Sequence, residues 1–263
     1  MILRDAFDLI FPRTCHICGA PLDDSENFVC QPCVATLPRT GYHSQPDNRF
    51  EERFAGRFSF DRGASLFFYD RDGDLAKLVH DFKYRGYSSL AREMGRIMAR
   101  ELLPTGFLDR IEIIVPVGMH RLKRWQRGYN QATELARGLA ETLNTTLSPN
   151  TGTNTSHTPH TGTNRSHIPY TGTNRSHTPK VEVWDCLVMN RYHRSQTRRT
   201  AEERAKSMRN IFRVKKGYDL TARTILLLDD ICTTGSTLAE AAEALSATTP
   251  KLKLRLLTLA STY

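Results

Sequence analysis

Residues 225–237 read Ile-Leu-Leu-Leu-Asp-Asp-Ile-Cys-Thr-Thr-Gly-Ser-Thr. Four consecutive apolar residues, Ile225, Leu226, Leu227 and Leu228, are too few for a helix and suit a strand buried on both faces. The strand ends on two adjacent carboxylates, Asp229 and Asp230. A small, hydroxyl-rich loop follows, made of Thr233, Thr234, Gly235, Ser236 and Thr237. Good helix formers then fill 238–245. A strand, a small-residue loop and a helix N-terminus gather backbone N–H groups and hydroxyls around one point, which is an anion site suited to a phosphate. The two acids cannot serve that phosphate, because like charges repel. They suit hydroxyl groups or a nearby metal. Each part alone is ordinary, a buried strand or a solvated acid pair; the combination is far rarer.

Working outward, strands are expected at 65–69, 111–117, 181–189 and 252–259. Helical spacing at Leu75, Leu78, Val79 and Phe82 predicts a helix over 75–84, with others over 89–103 and 129–143. Strands alternating with helices predict an α/β domain with a mostly parallel central sheet and flanking helices. In such sheets ligands bind at the carboxyl ends of the strands, where the acid pair and the loop stand. Residues 34–63 have little periodicity and read as a linker and lead-in.

The chain has 263 residues, room for one typical domain and a smaller module. Its 37 basic residues outnumber 28 acidic ones, which favours phosphates, pyrophosphate or nucleic acid without choosing among them. No run approaches a transmembrane span. The first thirteen residues are too charged and too short for a signal peptide. They suit a short amphipathic helix, packed on the body or lying on a membrane surface. The expected location is the cytoplasm.

Cys15-His-Ile-Cys18 and Cys30-Gln-Pro-Cys33 are two Cys-x-x-Cys knuckles. In a reducing compartment they suit a metal better than disulfides. Zinc wants four soft ligands in a tetrahedron, and Cys15, Cys18, Cys30 and Cys33 supply them. Such a site has no open position, so the role is structural; a redox dithiol is the alternative. His16 is not expected to be a ligand. Cys186 reads as a core residue, and Cys232 as a small filler or a reactive thiol.

Residues 151–180 contain three ten-residue copies beginning Thr-Gly-Thr-Asn, with three basic residues and no acid. Almost nothing there is suited to burial, so the segment reads as a disordered insertion. His157, His167 and His177 are open to metal binding by avidity. Two basic tracts stand elsewhere. Arg121, Lys123, Arg124 and Arg127 follow the strand 111–117, and ten basic residues lie between 191 and 216. Both are either solvated faces or the rim of the site, where they suit a departing pyrophosphate.

The stretch 225–237 resembles the phosphoribosyl-pyrophosphate (PRPP) signature of type I phosphoribosyltransferases. More of the chain resembles the ComF family, phosphoribosyltransferase-like proteins linked to natural competence and DNA uptake. The resemblance rests on the Cys₄ knuckles, on Phe82-Lys83-Tyr84 and on Arg127-Gly-Tyr-Asn-Gln131. It extends through Ser195-Gln-Thr197, Glu203-Arg204 and Asn210-Ile-Phe212. The family's Val-Pro-Val-Pro-Leu-His appears as Val115-Pro-Val-Gly-Met-His120, where Gly118 is freer than proline.

The resemblance implies the type I phosphoribosyltransferase fold. It implies that Asp229 and Asp230 hold the ribose hydroxyls. It assigns the 5-phosphate to Thr233, Thr234, Gly235, Ser236 and Thr237. It assigns the pyrophosphate to Val117 and Gly118 with Lys83, Arg121 and Arg198. Mg²⁺ would accompany PRPP. The expected organisation is a helix and zinc module over 1–40, a linker over 41–63, and a phosphoribosyltransferase-like domain over 64–149 and 181–263, interrupted by the insertion 150–180. The expected function is phosphoribosyl transfer with pyrophosphate release. A non-catalytic PRPP- or nucleotide-binding regulator, or an accessory protein contacting DNA or the competence machinery, is the alternative. Nothing in the sequence identifies an acceptor.

Overall fold

The computed structural model describes residues 13–147, 180–189, 211–249 and 251–263. The N-terminal amphipathic stretch, the repeats up to residue 179, and the stretch that holds Arg194, Ser195, Arg198, Arg199 and Glu203 lie outside the described residues. In chain order the helices are Gln31–Thr36 (α1), Arg49–Glu52 (α2), Asp74–Tyr84 (α3), Ser88–Leu102 (α4), Arg121–Arg127 (α5), Gln131–Leu147 (α6) and Ser236–Thr248 (α7). The strands are Arg62–Phe68 (β1), Ile113–Pro116 (β2), Glu182–Val183 (β3), Leu187–Met189 (β4), Phe212–Val214 (β5), Thr224–Cys232 (β6) and Lys253–Ser261 (β7). Among the described residues no helix is long and apolar enough to cross a membrane.

Five strands form a parallel sheet in the order β1-β7-β6-β2-β3. Ile225, Leu226, Leu227 and Leu228 are fully buried in β6, between β7 and β2. An unbroken apolar run is what a central strand covered on both faces requires. Helix α6 packs on β2, β3 and β6, and α7 contacts β6.

Where β2 stops sets where the site opens. Its pairing with β6 ends at Pro116 opposite Leu228, and Val117 donates one last N–H to the Leu228 carbonyl. Proline has no N–H to continue a ladder. On its other edge β6 stays paired with β7 through Cys232. Asp229 and Asp230 therefore lie inside the strand, with β7 on one side and a widening gap on the other. The connection from β2 leads to β3 on one side and that from β6 to β7 on the other. The gap is thus at the switch point, where open α/β sheets bind ligands.

Three local expectations needed correction. The run 181–189 divides into two strands. Trp184 still donates its N–H to Ile114, but beyond it Cys186 turns to Lys215, and Leu187–Met189 pairs antiparallel with Phe212–Val214 in a separate two-stranded sheet. The first basic tract, given no element above, is the helix α5. Arg, Leu, Lys and Gln are good helix formers, His120 caps the start by accepting from the Leu122 N–H, and Gly128 ends it with φ +80°. The stretch 41–63 carries more structure than a linker. The Asn48 side chain caps α2 by accepting from the N–H groups of Phe50 and Glu51 and donates to the Gly63 carbonyl. Phe50 and Phe54, four residues apart, are fully buried. Asn48 followed three residues later by Glu51 is a capping-box spacing legible in the sequence.

Helices α4 and α6 touch backbone to backbone. A Cβ on Gly138 would stand 1.8 Å from the Arg92 carbonyl oxygen, and one on Gly95 would stand 2.1 Å from that of Leu135. Alanine at 138 gains about 1 kcal/mol in helix propensity but forces the helices apart, a strain of ~3 kcal/mol or more. Gly138→Ala is expected to lower stability by about 2 kcal/mol net, read as a shift of the urea midpoint. An unchanged midpoint would contradict this helix contact.

Candidate functional site

The gap beyond Leu228 is a cavity of about 200 Å³, lined by Lys83, Val117, Gly118, Asp229, Asp230 and Thr237 among others. Asp229 and Asp230 are half-buried, and each folds back on the strand. Asp229 Oδ1 accepts from the Asp230 N–H at 2.9 Å, and Asp230 Oδ1 accepts from the Ile231 N–H at 2.7 Å. Burial, then the charge of Asp230, push the Asp229 carboxyl up to about 7, against the opposing pull of the Asp230 N–H and of Lys83 and Lys123. Asp230 is paired with Lys83, Nζ to Oδ2, at 2.7 Å. The cation expected to serve a pyrophosphate thus sits on the acid pair.

Lys83 is positioned by two motifs that are far apart in sequence. It lies at the end of α3, in Phe82-Lys83-Tyr84. The Tyr129 hydroxyl donates to the Phe82 carbonyl, and the Arg127 guanidinium lies over the Tyr84 ring at 5.2 Å. Burial pushes the Tyr129 phenol up to about 12, so it stays a donor at physiological pH. Asn130 ties the same segment to the 117–120 loop. Its side chain donates to the Val117 carbonyl at 3.0 Å and accepts from the Ala132 N–H at 3.2 Å. Gln131 Oε1 accepts from Arg127 at 3.1 Å, leaving Nε2 buried and unmatched. The two motifs are one assembly around Lys83.

Gly118 is required by contact rather than by freedom. A Cβ there would stand 2.4 Å from the Leu187 carbonyl oxygen, because β4 crosses directly over the loop.

The small-residue loop follows β6 directly. Gly235 has φ +79° and caps α7. A Cβ on it would meet Phe54 at 2.9 Å. Thr233 and Thr234 are exposed, and the Thr234 and Ser236 hydroxyls lie 3.2 Å apart. Thr237 reaches the cavity wall. Arg53 braces the loop from below, donating to the Thr233 carbonyl at 2.8 Å and to the Thr262 carbonyl. Nothing in the sequence near Arg53 signals this, since its partners are 180 and 209 residues away. Burial raises the Cys232 thiol and seals it beneath the loop, the behaviour of a filler rather than a reactive group. Cys186 is fully buried, its thiol pushed up to about 11.

The four N-terminal cysteines meet as their spacing predicts. Their sulfurs all lie within 4.8 Å of one another, with Cys18 and Cys30 at 3.8 Å. Four sulfurs ~2.3 Å from a tetrahedral zinc are about 3.8 Å apart, so the donor set and its size fit that ion. Burial works against ionising Cys15, but N–H groups of Cys18, Cys30 and Ile17 pointing at its sulfur outweigh it and bring the thiol down to about 6. His16 turns away from the sulfurs. Its Nδ1 donates to Asp81 Oδ2 at 2.7 Å, and its ring packs edge-on against Tyr87. Asp81 belongs to α3, two residues before Lys83.

No family model matches the chain. Over 254 residues it is 25% identical to the DNA utilization protein YhgH of Salmonella typhi, spanning 90% of this chain and 92% of that one. Over 249 residues it is 25% identical to competence protein F of Haemophilus influenzae, spanning 89% and 91%. It is also 24% identical over 176 residues to the DNA utilization protein YhgH of Escherichia coli. The chain is thus similar along most of its length to DNA utilization and competence proteins.

The expected site residues divide into groups. Lys83, Val117, Gly118, Asp229, Asp230 and Thr237 share the cavity. Thr233, Thr234, Gly235 and Ser236 form the turn that leads into it. Arg121 lines a neighbouring cavity instead. Arg198 lies outside the described residues.

Proposed function

We propose that this chain binds PRPP with Mg²⁺ in the gap between β2 and β6 and transfers its phosphoribosyl group with release of pyrophosphate, in the service of DNA uptake. The observation that carries this reading is the juxtaposition of an acid pair with the turn 233–237 and the start of α7, all at the carboxyl end of one central strand. A parallel sheet with a separate β4–β5 pair over its edge supports the type I phosphoribosyltransferase fold. Similarity to competence and DNA utilization proteins supports the link to DNA uptake.

In this reading Asp229 and Asp230 accept hydrogen bonds from the ribose 2- and 3-hydroxyls. The turn and the α7 N-terminus hold the 5-phosphate. The pyrophosphate lies toward Val117 and Gly118, within reach of Lys83. Mg²⁺ bound with the substrate would supply charge neutralisation for the departing pyrophosphate. The C1–O bond breaks with its electron pair passing to pyrophosphate, and an acceptor nucleophile adds to C1. Lys83 exchanges its bond to Asp230 for the departing oxygens, which stabilises charge where it develops.

Calorimetry with PRPP and Mg²⁺ tests the binding step, and pyrophosphate release with candidate amines tests transfer. Binding carries a pH signature. Asp229 is protonated as pH falls through about 7, and a protonated carboxyl is a poorer acceptor for a hydroxyl. Affinity is expected to tighten by up to about tenfold between pH 6 and pH 8, one pKa-unit equivalent. Asp229→Asn is expected to flatten that rise; an identical profile in the variant would assign it to the ligand's own phosphates.

One observation favours a direct DNA contact as a second reading. Helix α5 exposes Trp125 and Leu122 beside four basic residues, and Trp125 is 84% exposed. An aromatic platform within a positive surface suits unpaired bases. Trp125→Ala is expected to weaken binding of a single-stranded oligonucleotide by about 1–3 kcal/mol in a fluorescence titration. Equal binding would remove α5 from any such contact.

A further inference from the structure

Arg127 and Gln131 line the cavity between β2 and β6, together with Lys83, Val117, Gly118 and Asn130. Arg127 ends α5 and Gln131 begins α6. Gly128, with φ +80°, turns the chain between them, and their side chains meet: Arg127 Nη1 donates to Gln131 Oε1 at 3.1 Å. The other hold on Arg127 is the Tyr84 ring, 5.2 Å from the guanidinium. Both partners are neutral, so they fix the guanidinium without cancelling its charge. The fork has five N–H groups, and this hydrogen bond takes one.

Gln131 carries a second sign of a ligand. The residue is 1% exposed, and its Nε2 has no hydrogen-bond partner among the described residues. A buried N–H without an acceptor is costly, and a ligand oxygen in the cavity would supply the acceptor. Gln131 also stands at the N-terminus of a helix of 17 residues, where the backbone carries partial positive charge. Asn130 ties that helix end to the Val117 carbonyl at 3.0 Å. An arginine fork, an amide N–H and a helix N-terminus in one space suit phosphate oxygens.

We infer that Arg127, rather than Arg121, is the arginine that holds the departing pyrophosphate beside Lys83, and that Gln131 both positions Arg127 and donates through Nε2 to the same ligand. This rests on the PRPP reading above and adds two residues to its pyrophosphate side. Arg121 lines the neighbouring cavity instead.

Calorimetry on the full chain tests it, with inorganic pyrophosphate and ribose 5-phosphate titrated separately in the presence of Mg²⁺. Arg127→Gln is expected to weaken pyrophosphate binding at least tenfold, and Gln131→Leu at least threefold. Both are expected to leave ribose 5-phosphate binding within twofold. Arg121→Gln is expected to leave pyrophosphate binding within twofold. Thermal melts identify a variant that fails to fold, and the other then carries the test. Unchanged pyrophosphate affinity in folded Arg127→Gln or Gln131→Leu would overturn the inference. So would a larger loss in Arg121→Gln than in Arg127→Gln, an equal loss of both ligands, or no pyrophosphate binding to the parent protein. PRPP is titrated separately. If it does not bind while pyrophosphate binds through Arg127, the PRPP reading fails and the anion subsite stands. If it binds equally to parent and Arg127→Gln, the inference fails and the PRPP reading stands.

Discussion

The double variant Asp229→Asn, Asp230→Asn is expected to lose PRPP binding while remaining folded. Each carboxylate would give a charge-assisted hydrogen bond to a ribose hydroxyl, worth about 1.5–3 kcal/mol. Losing both weakens binding by roughly 3–6 kcal/mol, or ~10²–10⁴-fold. Asparagine keeps the shape and one acceptor oxygen, so the backbone contacts to Asp230 and Ile231 survive. A second readout separates this from general damage. In the parent protein Lys83 is held by Asp230 at 2.7 Å; in the variant it is released. Inorganic pyrophosphate is therefore expected to bind the variant as well as the parent or better, while ribose 5-phosphate binding falls with that of PRPP. Parallel loss of both ligands would point to collapse of the pocket, and retention of ribose 5-phosphate binding would sink the ribose assignment.

The same substitution has a stability sign. The folded protein holds the Asp229 proton well above its ordinary value of 3.8. That contribution is present below about pH 4 and is lost as pH rises through about 7. The variant is expected to lack this decline over pH 4–7.

Metal removal is the second large effect. Structural zinc contributes about 10–16 kcal/mol to comparable Cys₄ and mixed Cys/His peptides near neutral pH, more than so small a module is able to replace. Purified protein is expected to carry one zinc per chain by mass spectrometry; a content far below that would favour the redox dithiol. Stripping the metal, with Mg²⁺ then resupplied, is expected to unfold the knuckles. It would release His16 from Asp81, two residues before Lys83, and weaken PRPP binding by about tenfold. His16→Ala tests the connection with the metal in place. Its bond to a carboxylate is worth about 1.5–3 kcal/mol of local stability, and part of that loss is expected to appear as weaker PRPP binding. Metal-free protein with undiminished PRPP affinity would uncouple the module from the site.

The residues that were legible in the sequence are those whose chemistry is local. Ile225 to Leu228 announce a central strand because only a strand covered on both faces tolerates four adjacent apolar side chains. Cys15, Cys18, Cys30 and Cys33 announce a metal because their spacing already brings two pairs of sulfurs together. Helix α5 is written in its helix-forming residues and in the stop at Gly128, but a run so dense in positive charge and so poor in apolar residues carries no helical periodicity. Trp184, Asp185 and Cys186 gave no sign that they divide one apolar run between two sheets, since the partner that takes over, Lys215, lies about thirty positions away.

What the sequence by itself determined is the strand, the acid pair, the small-residue turn and the two cysteine knuckles, each specified by neighbours within a few residues. What only the tertiary structure decided is how these act on one another. Proline at 116 ends one ladder beside a strand that continues, and so opens the cavity. Arg53 braces the turn from 180 residues away. Tyr129 and His16 bond adjacent residues, Phe82 and Asp81, of the segment that aims Lys83 at Asp230. Tyr84 and Gln131 fix Arg127 in the same cavity. These depend on distances across the fold rather than along the chain, because hydrogen bonds and charges act over a few ångströms and folding alone brings such groups within that range.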